Sequence, residues 1–243
     1  MAATVQQGQV GDRSGSSSGG GPFRAEEDSL AVTNDLPSVI LGATMGSDPT
    51  MGSDPVGLYL RAAHIFDAHV RAVRHDQWGD PTPCSEWNVR QLVNHVTVED
   101  LWVPPLLSGK TIADVGDAYD GDQLGDDPAA AWSNALADAR QSVLEPGAAG
   151  RTVHLSYGDD RAGEYLLQLF ADHLIHGWDL ARAIGASTSL PPELVDECAA
   201  YFVRMEAMYR DIGVIAPRVD VPAEADPQTR LLASFGRSAS DPL

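Results

Sequence analysis

Hydrophobic residues in the middle of the chain recur at intervals of three and four positions. The first such series starts after Pro55 and includes one histidine. Its members are Leu58, Ala62, Ile65, Phe66, His69, Val70 and Val73. This spacing places them on one face of an amphipathic helix, which we expect to end near His75. The following segment, residues 77–87 (QWGDPTPCSEW), contains one glycine and two prolines and is predicted to be a loop.

A capping signature precedes the second apolar series. Asn88 stands three residues before Gln91, a pair that is typical of a capping box at the start of a helix. The predicted helix continues through VRQLVNHVTVEDLWV, residues 89–103. Because proline lacks the backbone N–H that a helix interior uses, we expect Pro104 and Pro105 to end it.

An acidic segment rich in glycine separates the second helix from the third. It covers residues 108–127 and contains Asp114, Asp117, Asp120, Asp122, Asp126 and Asp127. Their spacing does not follow an EF-hand loop, which also needs a glycine and a closing glutamate at fixed positions. We therefore favour a solvated loop, with a calcium-binding loop as the alternative.

Two further long helices are predicted after this segment. Asp127 and Pro128 are a typical N-cap and first helical residue. The third helix would place four residues inward, namely Trp132, Leu136, Ala139 and Val143. Residues 152–159 (TVHLSYGD) alternate in polarity and are predicted to be extended, and a fourth helix is expected over 162–184, ended by Gly185.

The order of these elements predicts an all-α fold. Two further helices are expected at about 191–211 and 226–236. Four main helices joined by loops, without a run of strands, favour an antiparallel four-helix bundle over 55–185, followed by a short C-terminal helical segment, 186–243. Residues 1–50 are rich in glycine, serine and acidic groups and have little apolar surface to bury, so we expect them to be disordered.

The charge balance limits the partners that the chain can have. Its 243 residues include 16 basic and 35 acidic ones, a formal net charge of −19. Such a chain repels nucleic acids and anionic membrane surfaces. The apolar runs are shorter than the roughly 20 residues that span a bilayer. The two cysteines, Cys84 and Cys198, fit neither a paired metal spacing nor a disulfide framework, which favours a cytoplasmic location.

The fourth predicted helix carries an unusual number of polar residues in its apolar stretch ADHLIHGWDLARAIG, residues 171–185. Asp172 and His176 are four residues apart and therefore lie on one helix face. A carboxylate and an imidazole in this arrangement can share a divalent ion. His95 on the second helix would complete a three-ligand site with a position left for water or substrate. The alternative is that each histidine only hydrogen-bonds to a neighbour.

Residues near this trio have more than one interpretation. His173 is either a further ligand or a residue that hydrogen-bonds between helices, and we favour the second. Glu99, one turn after His95, either orients His95 or acts as an acid/base group, and the alternative is an exposed charge. Asp179 is expected to pair with Arg182 or to cap a loop.

Cysteines and tryptophans are assigned to packing. Cys84 lies in a predicted loop with no evident base beside it, so we favour a packing role over nucleophilic catalysis. Cys198 lies in a predicted helix and is assigned in the same way. Four tryptophans are expected to be core anchors and not substrate platforms, namely Trp87, Trp102, Trp132 and Trp178.

Three motifs together resemble the actinobacterial mycothiol-dependent maleylpyruvate isomerase-like family, a branch of the DinB-like superfamily of metal-binding four-helix bundles. They are WGDPTPCSEWNVRQLVNHVTVEDLWV at 78–103, TVHLSYGD, and ADHLIHGWDLARAIG. The resemblance covers about residues 55–237, in order, and is closest to a small subgroup described only as metal-binding. It implies metal ligands at His95, Asp172 and His176. Characterised isomerases have glutamate where this chain has Asp172.

The resemblance also implies a chemistry. A divalent metal, zinc in our expectation, would bind a low-molecular-weight thiol such as mycothiol and lower its pKa. The thiolate would then serve isomerase or thiol-transferase chemistry on a small electrophile, with Glu99 as an acid/base or supporting group. Characterised isomerases use arginines of a larger C-terminal domain for an anionic substrate, and here Arg204, Arg210 and Arg218 are the candidates. The alternative functions are a non-catalytic metal-binding or interaction module and a purely structural bundle.

Overall fold

A computed structural model describes residues 54–85 and 87–238. The predicted disordered extension, 1–50, lies outside the described residues. The elements are, in chain order, α1 (Pro55–Ala72), α2 (Val89–Leu107), α3 (Ile112–Val115), α4 (Pro128–Val143), β1 (Thr152–Leu155), β2 (Gly158–Arg161), α5 (Ala162–Ile184), α6 (Pro192–Asp211) and α7 (Pro227–Ser234). This composition confirms the all-α fold class.

Helices α1, α2, α4 and α5 pack together around two clusters of buried hydrophobic residues. Helix α1 lies against α5 and α4, and α2 lies against the same two helices. Helix α5 is the most enclosed, since 18 of its 23 residues are buried. Helix α1 packs closely against it, since a Cβ at Gly177 would be in ordinary van der Waals contact with Ile65 at 3.7 Å. The polar residues in the middle of α5 are therefore held inside the protein, namely Asp172, His173, His176 and Asp179. Among the described residues, no helix is long and apolar enough to cross a bilayer.

The predicted helix ends agree with the structure at most positions. Asn88 and Gln91 form the expected reciprocal capping box at the start of α2. The Asp127 carboxylate accepts a hydrogen bond from the Ala130 amide at the start of α4. Helix α5 ends at Gly185, whose φ of 71° is left-handed and favours glycine. Helix α1 ends at Ala72, slightly before the predicted end near His75.

The prediction that Pro104 and Pro105 end α2 was wrong. The helix continues through both prolines to Leu107. Each proline removes one backbone hydrogen bond, but this loss falls in the last turn, where the Ser108 amide still donates to the Pro104 carbonyl. Leu106 and Leu107 are at most 3% exposed, so burial of their side chains favours the additional turn.

Two connecting segments contain short elements. The acidic segment includes the single-turn helix α3, capped by Thr111 and Asp114. The segment predicted to be extended forms an antiparallel hairpin with the residues after it, because β1 pairs with β2 and Leu155 lies opposite Gly158. Val153 and Leu155 on β1 are buried, whereas β2 is mostly exposed. The hairpin thus closes one end of the helical core and leads directly into α5.

The segment after α5 is fastened by a cluster of charges on α6. Helix α6 packs against both α5 and α7. The Glu206 carboxylate accepts hydrogen bonds from Arg210 at 2.9 Å and from Arg218 at 2.7 Å. Arg210 also donates to the backbone carbonyls of Ala216 and Ser234. The two arginines therefore tie the chain after α6 back onto the end of α7.

Replacing Glu206 by glutamine is expected to lower stability near neutral pH by about 1 kcal/mol, the upper range for a partly exposed ion pair. Hydrogen bonds from Arg218 and Arg210 hold the pKa of Glu206 at about 2 in the folded protein, below the usual value of a glutamate. The stabilisation is thus present above about pH 4.5 and lost as pH falls toward 2. Urea titrations at pH 7 and pH 3 measure this difference.

Asp196→Asn is the matched control, since Asp196 is exposed on the same helix. An equal difference between wild type and Glu206→Gln at both pH values would contradict the role of this carboxylate.

Candidate metal centre

Helices α2 and α5 bring together the three residues singled out as metal ligands. The Nε2 atom of His95 lies 3.3 Å from Oδ2 of Asp172, and the Nε2 atom of His176 lies 3.6 Å from Oδ1 of the same carboxylate. His95 is 5% exposed, Asp172 1% and His176 7%. One potential ligand atom from each lies within 4.8 Å of the other two. The imidazoles of His95 on α2 and His176 on α5 thus both face the buried Asp172 carboxylate on α5.

The Asp172 carboxylate fits a metal ligand better than a hydrogen-bond acceptor. Both of its oxygens are buried and have no hydrogen-bond donor among the described residues. A buried carboxylate left in that state is costly. With ligand bonds of about 2.0–2.1 Å, the ligand atoms of a tetrahedral zinc site are about 3.3–3.4 Å apart. The His95 spacing of 3.3 Å agrees with this value, and the His176 spacing, measured to the other oxygen, is 3.6 Å. With two imidazoles and a carboxylate, the residues present fit a divalent ion.

His95 presents a neutral ring to this site. Burial lowers the pKa of His95 below its usual value, although the Asp172 carboxylate opposes the shift. A neutral imidazole has a lone pair available for a metal. The half-buried Trp87 lies against this ring, with centroids 4.6 Å apart and planes inclined by 33°. Trp87 packs against a cluster of buried hydrophobic residues, as expected, and also forms part of the wall of the site.

The other ring, His176, is oriented by Asp179. Its Nδ1 atom lies 3.0 Å from Oδ2 of Asp179. Burial lowers the pKa of His176, but Asp172, Cys84 and Asp179 together raise it above its usual value, which favours the charged ring when no ion is bound. Since Asp179 can only accept while ionised, Nδ1 donates to it. An ion would replace the proton on Nε2, which faces Asp172.

The sequence favours Arg182 as the charged partner of Asp179. In the structure Asp179 pairs instead with Arg237, from the segment after α7. Arg237 Nη2 donates to Oδ2 of Asp179 at 2.8 Å. Burial raises the pKa of Asp179, but Arg237 and His176 hold it well below its usual value. Arg182 instead lies over the Trp178 ring, 5.5 Å from its centroid. Asp179 thus pairs with a largely enclosed arginine that is distant in sequence, and not with the arginine three residues away on its own helix.

Cys84 also contacts this charged group, which corrects its assignment to simple packing. Its Sγ atom lies 3.2 Å from Oδ2 of Asp179 and accepts a hydrogen bond from Arg237 at 2.9 Å. Cys84, His176 and Asp179 are close enough to share an ion. The guanidinium already supplies positive charge to two of them, so this second group fits a cation poorly. Cys198 is buried, and burial raises the pKa of its thiol.

His173 belongs to a separate buried network and not to the metal centre. Its Nδ1 lies 2.8 Å from the Leu169 carbonyl, and its Nε2 lies 3.0 Å from Oδ1 of Asp100 on α2. The same Asp100 oxygen accepts a hydrogen bond from the Tyr59 hydroxyl of α1 at 2.8 Å. His173, Asp100 and Tyr59 are all 0% exposed. The interpretation of His173 as a residue that links helices agrees with this geometry.

Glu99 lies on α2 one turn after His95 and is 0% exposed, so the alternative of an exposed charge was wrong. Burial raises the pKa of the nearby Tyr165 well above its usual value, and the carboxylates of Glu99 and Asp100 raise it further. The Tyr165 hydroxyl is thus protonated, and it has no hydrogen-bond partner among the described residues. The interior beside the metal centre therefore contains further acidic and hydroxyl groups.

Other candidates lie away from the centre. Arg204 pairs with Glu164, while Arg210 and Arg218 hold Glu206. Trp102, Trp132 and Trp178 are at most 5% exposed and are core residues, as expected. Arg237 is a contributor that no sequence pattern indicated, and Trp87 and Cys84 were expected only to pack. A weak signal was available for the last two, because both lie in the motif at 78–103.

Comparison with known proteins gives three findings. The family model of the mycothiol maleylpyruvate isomerase N-terminal domain matches residues 59–181. Two uncharacterized proteins of Mycobacterium tuberculosis, from two strains, are each 34% identical over 187 residues, which cover 76% of this chain and 98% of the relative. The crystal structure of a histidine-to-alanine mutant of the mycothiol-dependent maleylpyruvate isomerase has a TM-score of 0.50 and 15% identity. The matched region covers 63% of this chain and 70% of the isomerase chain, and at this identity the match shows a similarity of fold alone.

Proposed function

The chain belongs to the mycothiol maleylpyruvate isomerase N-terminal domain family, and from this premise we propose that it is a metal-dependent enzyme that uses a low-molecular-weight thiol. The proposed metal is divalent, with zinc favoured, and its ligands are His95, Asp172 and His176. The proposed thiol is mycothiol, and the reaction is isomerisation of, or thiol transfer to, a small electrophile. A cytoplasmic location belongs to the same proposal.

One observation carries the metal proposal. The Asp172 carboxylate is buried between two imidazole Nε2 atoms, and neither oxygen has a hydrogen-bond donor among the described residues. Histidine nitrogen and carboxylate oxygen are usual zinc ligands, and three protein ligands are typical of sites that keep a position for substrate. Asp179, in turn, holds the outer nitrogen of His176, the arrangement common around metal-bound histidines.

The chemistry assigned to the site needs a thiolate near neutral pH. A bound divalent ion lowers the pKa of a coordinated thiol. Addition of the thiolate to a conjugated double bond would move an electron pair onto the neighbouring carbonyl oxygen. Rotation about the resulting single bond and expulsion of the thiolate would restore the double bond with the other geometry. If the adduct instead took up a proton at the carbon beside the carbonyl, the outcome would be thiol transfer.

The chain's own groups would bind and orient the reactants. His95 and His176 would bind the ion. Trp87, from the loop before α2, lies against both of their rings. Glu99 is proposed as the acid/base or supporting group, since it lies buried one turn from His95. Exclusion of water by the surrounding apolar residues strengthens each of these charges.

The burial of the three ligands favours a second candidate function, a non-catalytic metal-binding or interaction module. His95, Asp172 and His176 are all less than 8% exposed. A site of that kind holds its ion in a closed coordination sphere. An enzyme needs a position that a thiol can reach.

Purified protein is expected to contain about one equivalent of zinc or another divalent metal. Mycothiol titrated into the metal-loaded protein is expected to bind with a measurable heat, and a screen with thiol-reactive electrophiles is expected to show turnover only when both metal and thiol are present. Mass spectrometry measures the metal content, and isothermal titration calorimetry measures the binding of mycothiol.

The outcomes separate the candidates. Metal content well below one equivalent, unchanged after incubation with zinc, overturns both metal proposals. Bound metal without a response to mycothiol supports the binding module and overturns the enzyme. Chelator-treated protein is the control for each assay.

A further inference from the structure

The segment after α7 reaches back to the metal centre through one side chain. Arg237 lies beyond the end of α7 and outside residues 59–181, which the family model matches. Its side chain is 13% exposed and that of its partner Asp179 is 0% exposed. An arginine that is so enclosed, with its charge paired, needs a fixed set of acceptors.

The guanidinium of Arg237 donates hydrogen bonds to three acceptor groups, which are a carboxylate, a backbone carbonyl and a sulfur atom. Its Nη2 and Nε atoms donate to the two oxygens of Asp179, at 2.8 and 3.3 Å. Nη1 donates to the Phe235 carbonyl at 2.8 Å, and Nη2 also donates to the Cys84 sulfur at 2.9 Å. The two contacts with Asp179 form a fork that fixes the plane of the carboxylate, a geometry that lysine cannot reproduce.

Asp179 transmits this orientation to a proposed ligand. The oxygen that Arg237 holds at 2.8 Å is the same oxygen that lies 3.0 Å from Nδ1 of His176. While the carboxylate accepts there, Nδ1 carries the hydrogen and Nε2 is the nitrogen left for an ion. The ring therefore turns its ligating edge toward Asp172.

We propose that Arg237 is a positioning residue of the metal centre, which sets the ring orientation and the ligating nitrogen of His176 through Asp179. The inference rests on the proposed metal function and assigns part of the site to the segment after α7. Without the fork, Asp179 loses its charge-assisted hydrogen bonds and no longer holds a single orientation. Hydrogen-bonding partners outside the ligand sphere typically contribute 10–100-fold to metal affinity.

The test uses the full chain, stripped of metal and titrated with Co²⁺ as the probe. Arg237→Gln is expected to bind Co²⁺ 10–100-fold more weakly than wild type and to shift the visible Co²⁺ absorption bands, which report the ligand geometry. Asp179→Asn is expected to have a similar effect. The double variant is expected to be no weaker than the more affected single one, because both act through His176. Arg230→Gln, an exposed arginine on α7, is the matched control and is expected to match wild type.

Nitrogen NMR of labelled histidine in the Zn²⁺-loaded protein gives a readout that a loss of stability alone does not move. Wild type is expected to show His176 protonated at Nδ1, and Arg237→Gln to show a mixture of ring states. Arg237→Lys keeps the charge without the fork and replaces the glutamine variant if that variant does not fold, with a loss of Co²⁺ affinity of about tenfold expected.

Unchanged Co²⁺ affinity and absorption in Arg237→Gln, or in Arg237→Lys if that variant is used, overturn the inference and leave the metal proposal intact. Additive effects in the double variant also overturn it. If wild type itself binds no Co²⁺, the metal function fails, and the role of Arg237 fails with it.

Discussion

Replacing Asp172 by asparagine is expected to abolish stoichiometric metal binding. The carboxylate lies between the Nε2 atoms of His95 and His176, and its two oxygens have no donors among the described residues. Asparagine keeps the shape but loses the negative charge that balances the ion. We expect a loss of affinity of at least about 100-fold, beyond the range for residues outside the ligand sphere. Competition with a chromophoric chelator measures the affinity, and mass spectrometry measures the metal content.

His95→Ala is expected to give the same loss through removal of a second ligand. Asp117→Asn is the matched control, because this aspartate is exposed in the acidic segment. If the Asp172 variant retained a full equivalent of metal at wild-type affinity, the ligand set would be wrong. If it folded normally but also lost its response to mycothiol, metal and thiol sites would be linked as proposed.

Replacing Asp100 by alanine is expected to cost about 3 kcal/mol of unfolding free energy, the lower end for breaking a buried charge pair. Asp100 accepts from the Tyr59 hydroxyl and lies 3.0 Å from His173 Nε2, and all three residues are fully buried. Burial lowers the pKa of His173, but Asp100 raises it above its usual value, which favours the charged form of the ring beside this carboxylate. The substitution leaves the imidazole without the carboxylate of its ion pair and the Tyr59 hydroxyl without its hydrogen-bond acceptor.

Urea unfolding with excess chelator measures this cost without a contribution from bound metal. Tyr59→Phe removes only one hydrogen bond to Asp100 and is expected to cost about 1 kcal/mol. Metal content of the Asp100 variant, measured where it remains folded, is expected to stay at one equivalent. Loss of metal from a folded Asp100 variant would mean that the two polar networks act as one.

The pair on α5 could be predicted from the sequence because it depends on one helical period. Asp172 and His176 are four residues apart, and any α-helix places such residues on one face. His95 required more, since its approach depends on how α2 packs against α5. The periodicity does not determine that packing, so the residue pattern left His95 as a candidate and the family resemblance supported it.

The outer part of the centre could not be predicted in the same way. Cys84 and Trp87 lie in an irregular segment whose path depends on contacts with α5 and the segment after α7. Arg237 is 58 residues from Asp179. Local spacing favoured Arg182 for this aspartate, but that arginine is only partly buried and lies over Trp178. Asp179 pairs with the more deeply buried Arg237, which is distant in sequence, and no local sequence pattern indicates this pairing.

The enclosure of α5 has an evolutionary consequence. Most helices of a globular protein have a solvent face on which neutral substitutions accumulate, but 18 of the 23 residues of α5 are buried. A change of size or polarity there meets another helix, the hairpin or a buried charge. Divergence among relatives is therefore expected to be slow along α5 and to proceed by paired replacements, in which a residue of α5 changes together with the residue that it contacts.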